Sequence, residues 1–258
     1  VTLTPPAALA RRLREAGCVF AEDEAGLLLA AADDVAALER MVEQRAAGRP
    51  LEQILGWAEF RGLRVRVEPG VFVPRRRSSL LVALAARRLA PGDVVVDVCC
   101  GSGALGLALA AAVPGLRVYA VDNDPAAVRC ARRNLDVVGG TVLQGSLLGP
   151  LPTSLRGQVS AVVAVPPYVP SAEIALMPAE ARDHEPRAAL DGGVDGLDVM
   201  RALAAEVGPW LAADGHVLVE VAAHQAQAVA AQLGAVGLGA GVESDDESGA
   251  TAVVARRR

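Results

Sequence analysis

Asp97, Gly101, Gly103, Gly106 and Asp122 have the types and spacing of residues that hold a nucleoside-bearing ligand. They lie in and after VVVDVCCGSGALGLALA, Val94 to Ala110, where β-branched residues run into a glycine-rich turn and then an apolar helical pattern. Strand, glycine turn and helix start together bring backbone N–H groups to a polar ligand. The glycines satisfy G-x-G-x-x-G, and Asp122 follows at about the distance expected of a carboxylate that accepts hydrogen bonds from ribose hydroxyls. Asp97, late in the strand, argues against a dinucleotide, because a pyrophosphate would meet a second negative charge there. A ligand with a cationic amino acid end suits the position better. S-adenosylmethionine carries an ammonium, a sulfonium and a ribose and no phosphate, and this stretch is expected to be its site.

The elements that position these residues follow from the surrounding periodicity. From Val71 the pattern is α/β: VFVPRRRSS, an apolar helix over Leu80 to Leu89, Pro91-Gly92, then the first strand. A second strand is expected over Leu116 to Asp122, a helix over Ala126 to Leu135 and a third strand over Thr141 to Leu143. The fourth, Val159 to Ala164, ends in Val165-Pro166-Pro167-Tyr168. After a long loop come a helix (Leu197 to Leu211), a strand (His216 to Val221), a helix (Gln225 to Leu233) and a final strand near Thr251 to Ala255. Such alternation predicts a doubly wound parallel sheet, with ligands at the carboxyl ends of the strands near the switch point. Asp97, Asp122, Ser146 and the turn from Val165 to Tyr168 then line one rim. Ahead of the sheet, Ala-rich helices are expected over Ala7 to Ala16, Ala21 to Ala31 and Asp34 to Ala47. Thr4-Pro5-Pro6 reads as their first cap and Gly48-Arg49-Pro50 as their stop. Gly56 to Val67 alternates like a β-hairpin. The expected division is a helical domain over 1–50, a hairpin linker over 51–70 and the α/β domain over 71–258.

The chain has 258 residues, 52% hydrophobic and 21% charged, enough to fill one large core with a small appendage. A net charge of −5, with every basic residue an Arg, gives no reason to expect nucleic acid. The four cysteines show no C-x-x-C and no His at ligand spacing, so no metal site is expected. Adjacent Cys99 and Cys100 do not bridge easily, and free thiols suit a reducing cytoplasm. With no signal-peptide pattern and no apolar run of spanning length, the expected location is cytoplasmic and away from membranes.

The motifs PLEQILGWAEFRGL, FVPRRR, DVCCGSGALG, AVDNDP, PPYVP and DHEPRAALDGGVDGLDVM occur in one order between about Arg49 and Val221. In that order they resemble the HemK-like protein-(glutamine-N5) methyltransferases, which modify the glutamine of peptide release factors. The likeness is greater to a branch with Cys-Cys in the first turn and three Arg after the Val-Pro. The resemblance implies a Rossmann-like class I methyltransferase fold, S-adenosylmethionine as cofactor and methyl transfer to an amide or amine nitrogen. It assigns Asp97, Cys99, Cys100, Gly101 and Gly103 to the cofactor turn, with Cys99 where the family has glycine. It assigns Asp122 to the ribose hydroxyls, and Phe72, Pro74 and Arg75 to the stretch that closes over the cofactor. Ser78-Ser79 replace a Thr-Glu, and Ser146 replaces an Asp near the adenine. Val165, Pro166, Pro167 and Tyr168 match the catalytic Asn-Pro-Pro-Tyr turn, with Val165 in place of Asn.

In that family the Asn oxygen and the first proline's carbonyl accept the two amide hydrogens, while the tyrosine packs on the amide plane. Val165 accepts nothing, whereas Pro166 still offers a carbonyl and Tyr168 a ring. One lost acceptor in a preorganised site is worth roughly 3–4 kcal/mol, on the order of a hundred- to a thousandfold in rate. Alignment alone contributes roughly 7–11 kcal/mol to such a transfer. Methyl transfer can therefore survive the change, with glutamine expected to be a poorer acceptor and a less polar or differently shaped one admitted.

Other candidates have two readings each. Arg75-Arg76-Arg77 suits an acidic partner or the cofactor carboxylate, or a solvated loop. His184, with Glu185 and Arg187, reads as a base or as part of an Arg–carboxylate lock. His216 and His224 read as surface or packing residues, Asp245 to Glu247 as a solvated turn, and Arg256 to Arg258 as a tail too short to imply nucleic acid. Three function classes stand: a protein-nitrogen methyltransferase with a release-factor-like substrate, a methyltransferase of a small molecule, and a binding module without chemistry. Intact Asp97, Gly101, Gly103 and Asp122 weigh against the last.

Overall fold

Three Ala-rich helices open the chain, α1 (Pro6–Glu15), α2 (Ala21–Ala31) and α3 (Val35–Ala46), in a computed structural model that describes residues 5–257. Thr4 of the expected first cap and Arg258 of the expected tail lie outside the described residues. Pro6 occupies the first turn of α1, where a missing N–H costs nothing. Asp34 caps α3 by accepting the Ala37 N–H at 2.6 Å. Leu9, Leu13, Leu28, Leu38 and Val42 close on one another as a separate apolar cluster. Gly48-Arg49-Pro50 does end α3, but Pro50 also starts a short helix, α4 (Leu51–Leu55), which stops at left-handed Gly56. Five residues are too few to show a period. The hairpin forms as expected from β1 (Trp57–Phe60) and β2 (Leu63–Arg66), turning at Arg61 and Gly62 with positive φ.

The α/β part follows as α5 (Ser79–Ala86), β3 (Val94–Val98), α6 (Ala104–Ala112), β4 (Arg117–Asp122), α7 (Pro125–Leu135), β5 (Thr141–Gln144), β6 (Val159–Ala164), α8 (Ala179–His184), α9 (Asp198–Val207), β7 (Leu211–Glu220), α10 (Ala226–Ala235), β8 (Leu238–Asp245) and β9 (Ala250–Arg257). The seven-stranded sheet runs β5-β4-β3-β6-β7-β9-β8. The five strands from β5 to β7 are parallel, and the winding reverses between β3 and β6, where the ligand rim is expected.

The wholly parallel expectation needs correction at one edge. β9 pairs antiparallel with both β7 and β8. β8 carries no strand signal in the sequence, because LGAGVESD is a mostly exposed, Gly- and acid-rich edge strand without an apolar alternation. The helix expected over Leu197 to Leu211 is also shorter, since Pro209 follows α9 and Leu211 already belongs to β7. Arg256 and Arg257 end β9 rather than forming a tail, and Arg256 pairs with Asp214 at 2.6 Å.

Alternation along β3 divides the core. Val96 and Val98 face α9 and α10 through Met200, Leu203, Val207 and Leu233. Val95 faces α5, α6 and α7 through Leu81, Ala85, Leu105, Leu109 and Val128. Among the described residues, no helix is long and apolar enough to cross a membrane, and no cluster of His, Cys, Asp or Glu could hold a metal ion.

Candidate active site

A cavity of about 460 Å³ opens at the carboxyl ends of β3, β4, β5 and β6. Its floor is the turn after β3, which requires left-handed backbone at Cys99 (φ 55), Gly101 (φ 54) and Gly103 (φ 76). Glycine adopts this freely, whereas the cysteine holds it at a cost of roughly 1–2 kcal/mol. Cys99, Cys100 and Gly101 line the cavity. Burial raises both thiols far above the ordinary range, so they stay protonated and are poor nucleophiles. Gly103 sits behind the wall, where a Cβ would lie 3.2 Å from Ala131 and Leu135. Gly106 lets α6 approach β4, its Cβ position being 3.0 Å from Val118.

Asp97 requires correction, because its side chain does not reach the cavity wall. Period-two alternation puts it on the same face as Val95, under the start of α6. There it is fully buried, with Oδ2 accepting the Gly106 N–H at 2.9 Å and Oδ1 without a hydrogen-bond partner among the described residues. Burial pushes its pKa up to about 8, against the opposing pull of the Gly106 N–H. Asp122 does line the cavity. Its Oδ2 accepts the Gly101 N–H at 2.8 Å and its Oδ1 the Asp124 N–H at 2.9 Å, so it braces the turn it faces. Burial raises its pKa as well. Each oxygen keeps a second lone pair for a ligand hydroxyl. Ser146 follows β5 and lines the same wall.

Phe72, Arg75 and Ser78 border the cavity from the stretch before α5. The wholly buried Glu185 carboxylate accepts the Val73 N–H at 3.1 Å and pairs with Arg75 at 2.6 Å. The Arg75 guanidinium also covers the Phe72 ring at 4.9 Å. Of the two readings of the 184–187 segment, the geometry matches the Arg–carboxylate lock: Glu185 is engaged, and Arg187 pairs with Asp191 at 3.1 Å. Arg76 is solvated, whereas Arg77 reaches Glu220 and Tyr168. His216 and His224 lie away from the cavity wall.

At the end of β6, Val165 and Pro167 line the cavity. Val165 packs its other side on the apolar cluster beneath α5 and α6. Of the turn expected along the rim, the Pro166 and Tyr168 side chains do not line the cavity: Pro166 is buried, and Tyr168 turns its hydroxyl to Arg77 and Glu220. Burial, and then the nearby Glu220 charge, push the Tyr168 pKa up to about 12. The loop from Asp191 to Asp198 is pressed against this turn. A Cβ on Gly192 would lie 2.7 Å from the Pro167 carbonyl, and one on Gly196 would collide with the Tyr168 carbonyl. That contact explains Gly192 and Gly196 of DGGVDG, whereas at Gly193 (φ 90) a Cβ would collide with the Asp198 carboxylate. Two further residues shape this neighbourhood, Glu220 and Gln225. In the sequence Glu220 leaves a signal, a lone carboxylate closing the apolar strand HVLVE at the ligand rim; Gln225 leaves none.

Asp122, Asp124, Asp191 and Asp198 line the cavity; Asp191 is paired with Arg187, Asp198 with Arg201 and Arg75 with Glu185, so Asp122 and Asp124 carry the negative charge of this wall. A polyphosphate would be repelled by this wall, and a ligand carrying ammonium and sulfonium charges fits it.

Residues 62–182 match the family model described as the methyltransferase small domain. A release factor glutamine methyltransferase of Geobacter sulfurreducens is 36% identical over 227 residues, covering 87% of this chain and 79% of that protein. A 4-amino-L-phenylalanine/4-methylamino-L-phenylalanine methyltransferase of Streptomyces pristinaespiralis is 36% identical over 203 residues, covering 76% and 69%. A solved methyltransferase from Pyrococcus furiosus superposes with a TM-score of 0.57 at 16% identity, covering 76% of this chain and 90% of that one, a likeness of fold alone.

Proposed function

The chain belongs to the release factor glutamine methyltransferase family, an S-adenosylmethionine-dependent group, and from that premise we propose that it methylates nitrogen, with the glutamine amide of a protein as its substrate class. The observation that carries this reading is the turn from Val165 to Tyr168, whose Val165 and Pro167 share one cavity with the glycine turn and Asp122. When bound, S-adenosylmethionine supplies an electrophilic methyl group on its sulfonium. Asp122 would accept hydrogen bonds from the ribose hydroxyls, Ser146 would lie by the adenine, and Phe72 and Arg75 would close over the ligand. Cys99, Cys100 and Gly101 form the floor beneath it, and Asp97 holds that floor to α6 through Gly106. On the acceptor side, the backbone carbonyl of Pro166 would take one amide hydrogen and Tyr168 would orient the amide plane, as the family pattern implies. Val165 provides no second acceptor, so the amide is held by one hydrogen bond where the family pattern has two.

A second reading is favoured by the same residue. An apolar Val165 wall suits an amine on a small aromatic molecule, the acceptor type named for the Streptomyces pristinaespiralis relative. Incubation with labelled S-adenosylmethionine and, in parallel, a release factor, a Gly-Gly-Gln peptide and 4-aminophenylalanine separates the two. Label in the release factor or peptide is the expected result. Label in the amine alone would transfer the conclusion to the second reading, and no label in any acceptor by cofactor-binding protein would overturn both.

A further inference from the structure

Glu220 ends β7 as a buried carboxylate in an apolar strand, a position that costs stability unless both oxygens are paired. Its Oε2 accepts the Ser78 hydroxyl at 2.6 Å, and its Oε1 accepts Arg77 Nε at 2.9 Å and faces the Tyr168 hydroxyl at 3.5 Å. Arg77 also donates to the Tyr168 hydroxyl, and its guanidinium lies 5.7 Å from the centre of that ring. The network joins three distant segments: the stretch before α5, the turn after β6 and the end of β7. Five residues beyond Glu220, the buried Gln225 donates Nε2 to the Tyr168 carbonyl at 2.9 Å and the Asp195 carbonyl at 3.3 Å. Its Oε1 accepts the Ala222 N–H at 3.4 Å. Ring and backbone of one residue are thus held from one short segment.

We propose that Glu220 and Gln225 are positioning residues for Tyr168, Glu220 fixing the ring and Gln225 the backbone, so that the turn after β6 presents the acceptor nitrogen in one orientation. The proposal rests on the reading of that turn as the acceptor site. It carries particular weight in this chain, because Val165 contributes no hydrogen bond and the ring must supply more of the alignment.

The chain has two tyrosines, so in a Tyr119→Phe background the phenolate absorbance reports Tyr168 alone. Glu220→Gln keeps an acceptor for Ser78 but removes the charge, leaving Arg77 beside the phenol. Tyr168 should then titrate toward the ordinary value of about 10. In the same variant kcat should fall about tenfold or more, as expected for a small misplacement of an aligning group, with KM for S-adenosylmethionine within about twofold. Gln225→Leu should lower kcat in the same way. Tyr168→Phe, which removes only the hydroxyl, should lose as much as Glu220→Gln, and the double variant no more than either. An unchanged phenol titration, an unchanged kcat in folded Glu220→Gln, or additive losses in the double variant would overturn the proposal. Should Glu220→Gln fail to fold, Tyr168→Phe decides, and wild-type kcat in it would overturn the proposal. The titration needs no acceptor, so it still tests Tyr168 positioning if wild type methylates none of the three acceptors.

Discussion

Asp97 and Cys99 illustrate what residue types reveal and what they hide. The glycine turn and Asp122 were legible because each is a type at a fixed spacing, whereas Val165 stands out only through the family resemblance. The direction of Asp97 was not legible, since a strand's period fixes its face only once its neighbours are known. The buried Asp97 carboxyl has a folded-state pKa of about 8, against an ordinary value near 4. The folded state therefore binds this proton more tightly than the unfolded chain. Its stabilising contribution is complete below about pH 4 and is lost as pH rises through about 8. Asp97→Asn keeps an acceptor for Gly106 and removes the titration. Ligand-free Asp97→Asn should show a flatter urea midpoint between pH 5 and 8 than wild type and a higher one at pH 8; parallel profiles would contradict this. At Cys99 the left-handed backbone makes the opposite point. Cys99→Gly should change stability by less than about 1 kcal/mol, strain relief offsetting the added chain entropy, while Cys99→Val should cost on the order of 2 kcal/mol by thermal denaturation.

Elements were legible where their period was long and clean. The helix α7, the strands β3, β4 and β6, and the hairpin all fell within a residue or two of expectation. β8 did not, because an exposed edge strand rich in glycine lacks alternation, and α4 did not, because it is a single turn and a half. The β7 start was hidden by an apolar helix running straight into an apolar strand, with Pro209 as the one break. Glycines inside helices test the packing of these elements. Gly106→Ala puts a methyl 3.0 Å from Val118 and 3.5 Å from Asp97, and should cost about 1–3 kcal/mol by overpacking. Gly234, in α10, has open space around its Cβ position, so Gly234→Ala should stabilise by about 0.5–1 kcal/mol. Equal effects of the two changes on the urea midpoint would contradict the packing described here.

The whole molecule is tied together by contacts that no local pattern announces. Arg45 holds Glu24 through two hydrogen bonds, one at 2.5 Å, and reaches across to Glu180 of α8 at 3.1 Å. Gln53 donates to the Val71 carbonyl at 3.2 Å and the His184 carbonyl at 3.4 Å. The N-terminal helices thereby brace the loop whose Glu185 holds Arg75 at the cavity. Glu24→Ala leaves the Arg45 guanidinium buried and underpaired, and should cost about 3 kcal/mol in chemical denaturation; a loss near zero would show the pair to be dispensable. Pairs separated by more than a hundred residues leave no periodic trace, which is why the sequence disclosed the helices but not their purchase on the site. The most direct test of the molecule's chemistry is the initial rate of methyl transfer from labelled S-adenosylmethionine to a Gly-Gly-Gln release factor, compared between wild type and Val165→Asn at saturating cofactor. Wild type should transfer label, and Val165→Asn should be faster by about tenfold or more, toward the roughly 3–4 kcal/mol that one restored acceptor can supply. A wild type as fast as Val165→Asn would contradict the claim that Val165 leaves the acceptor clamp one hydrogen bond short.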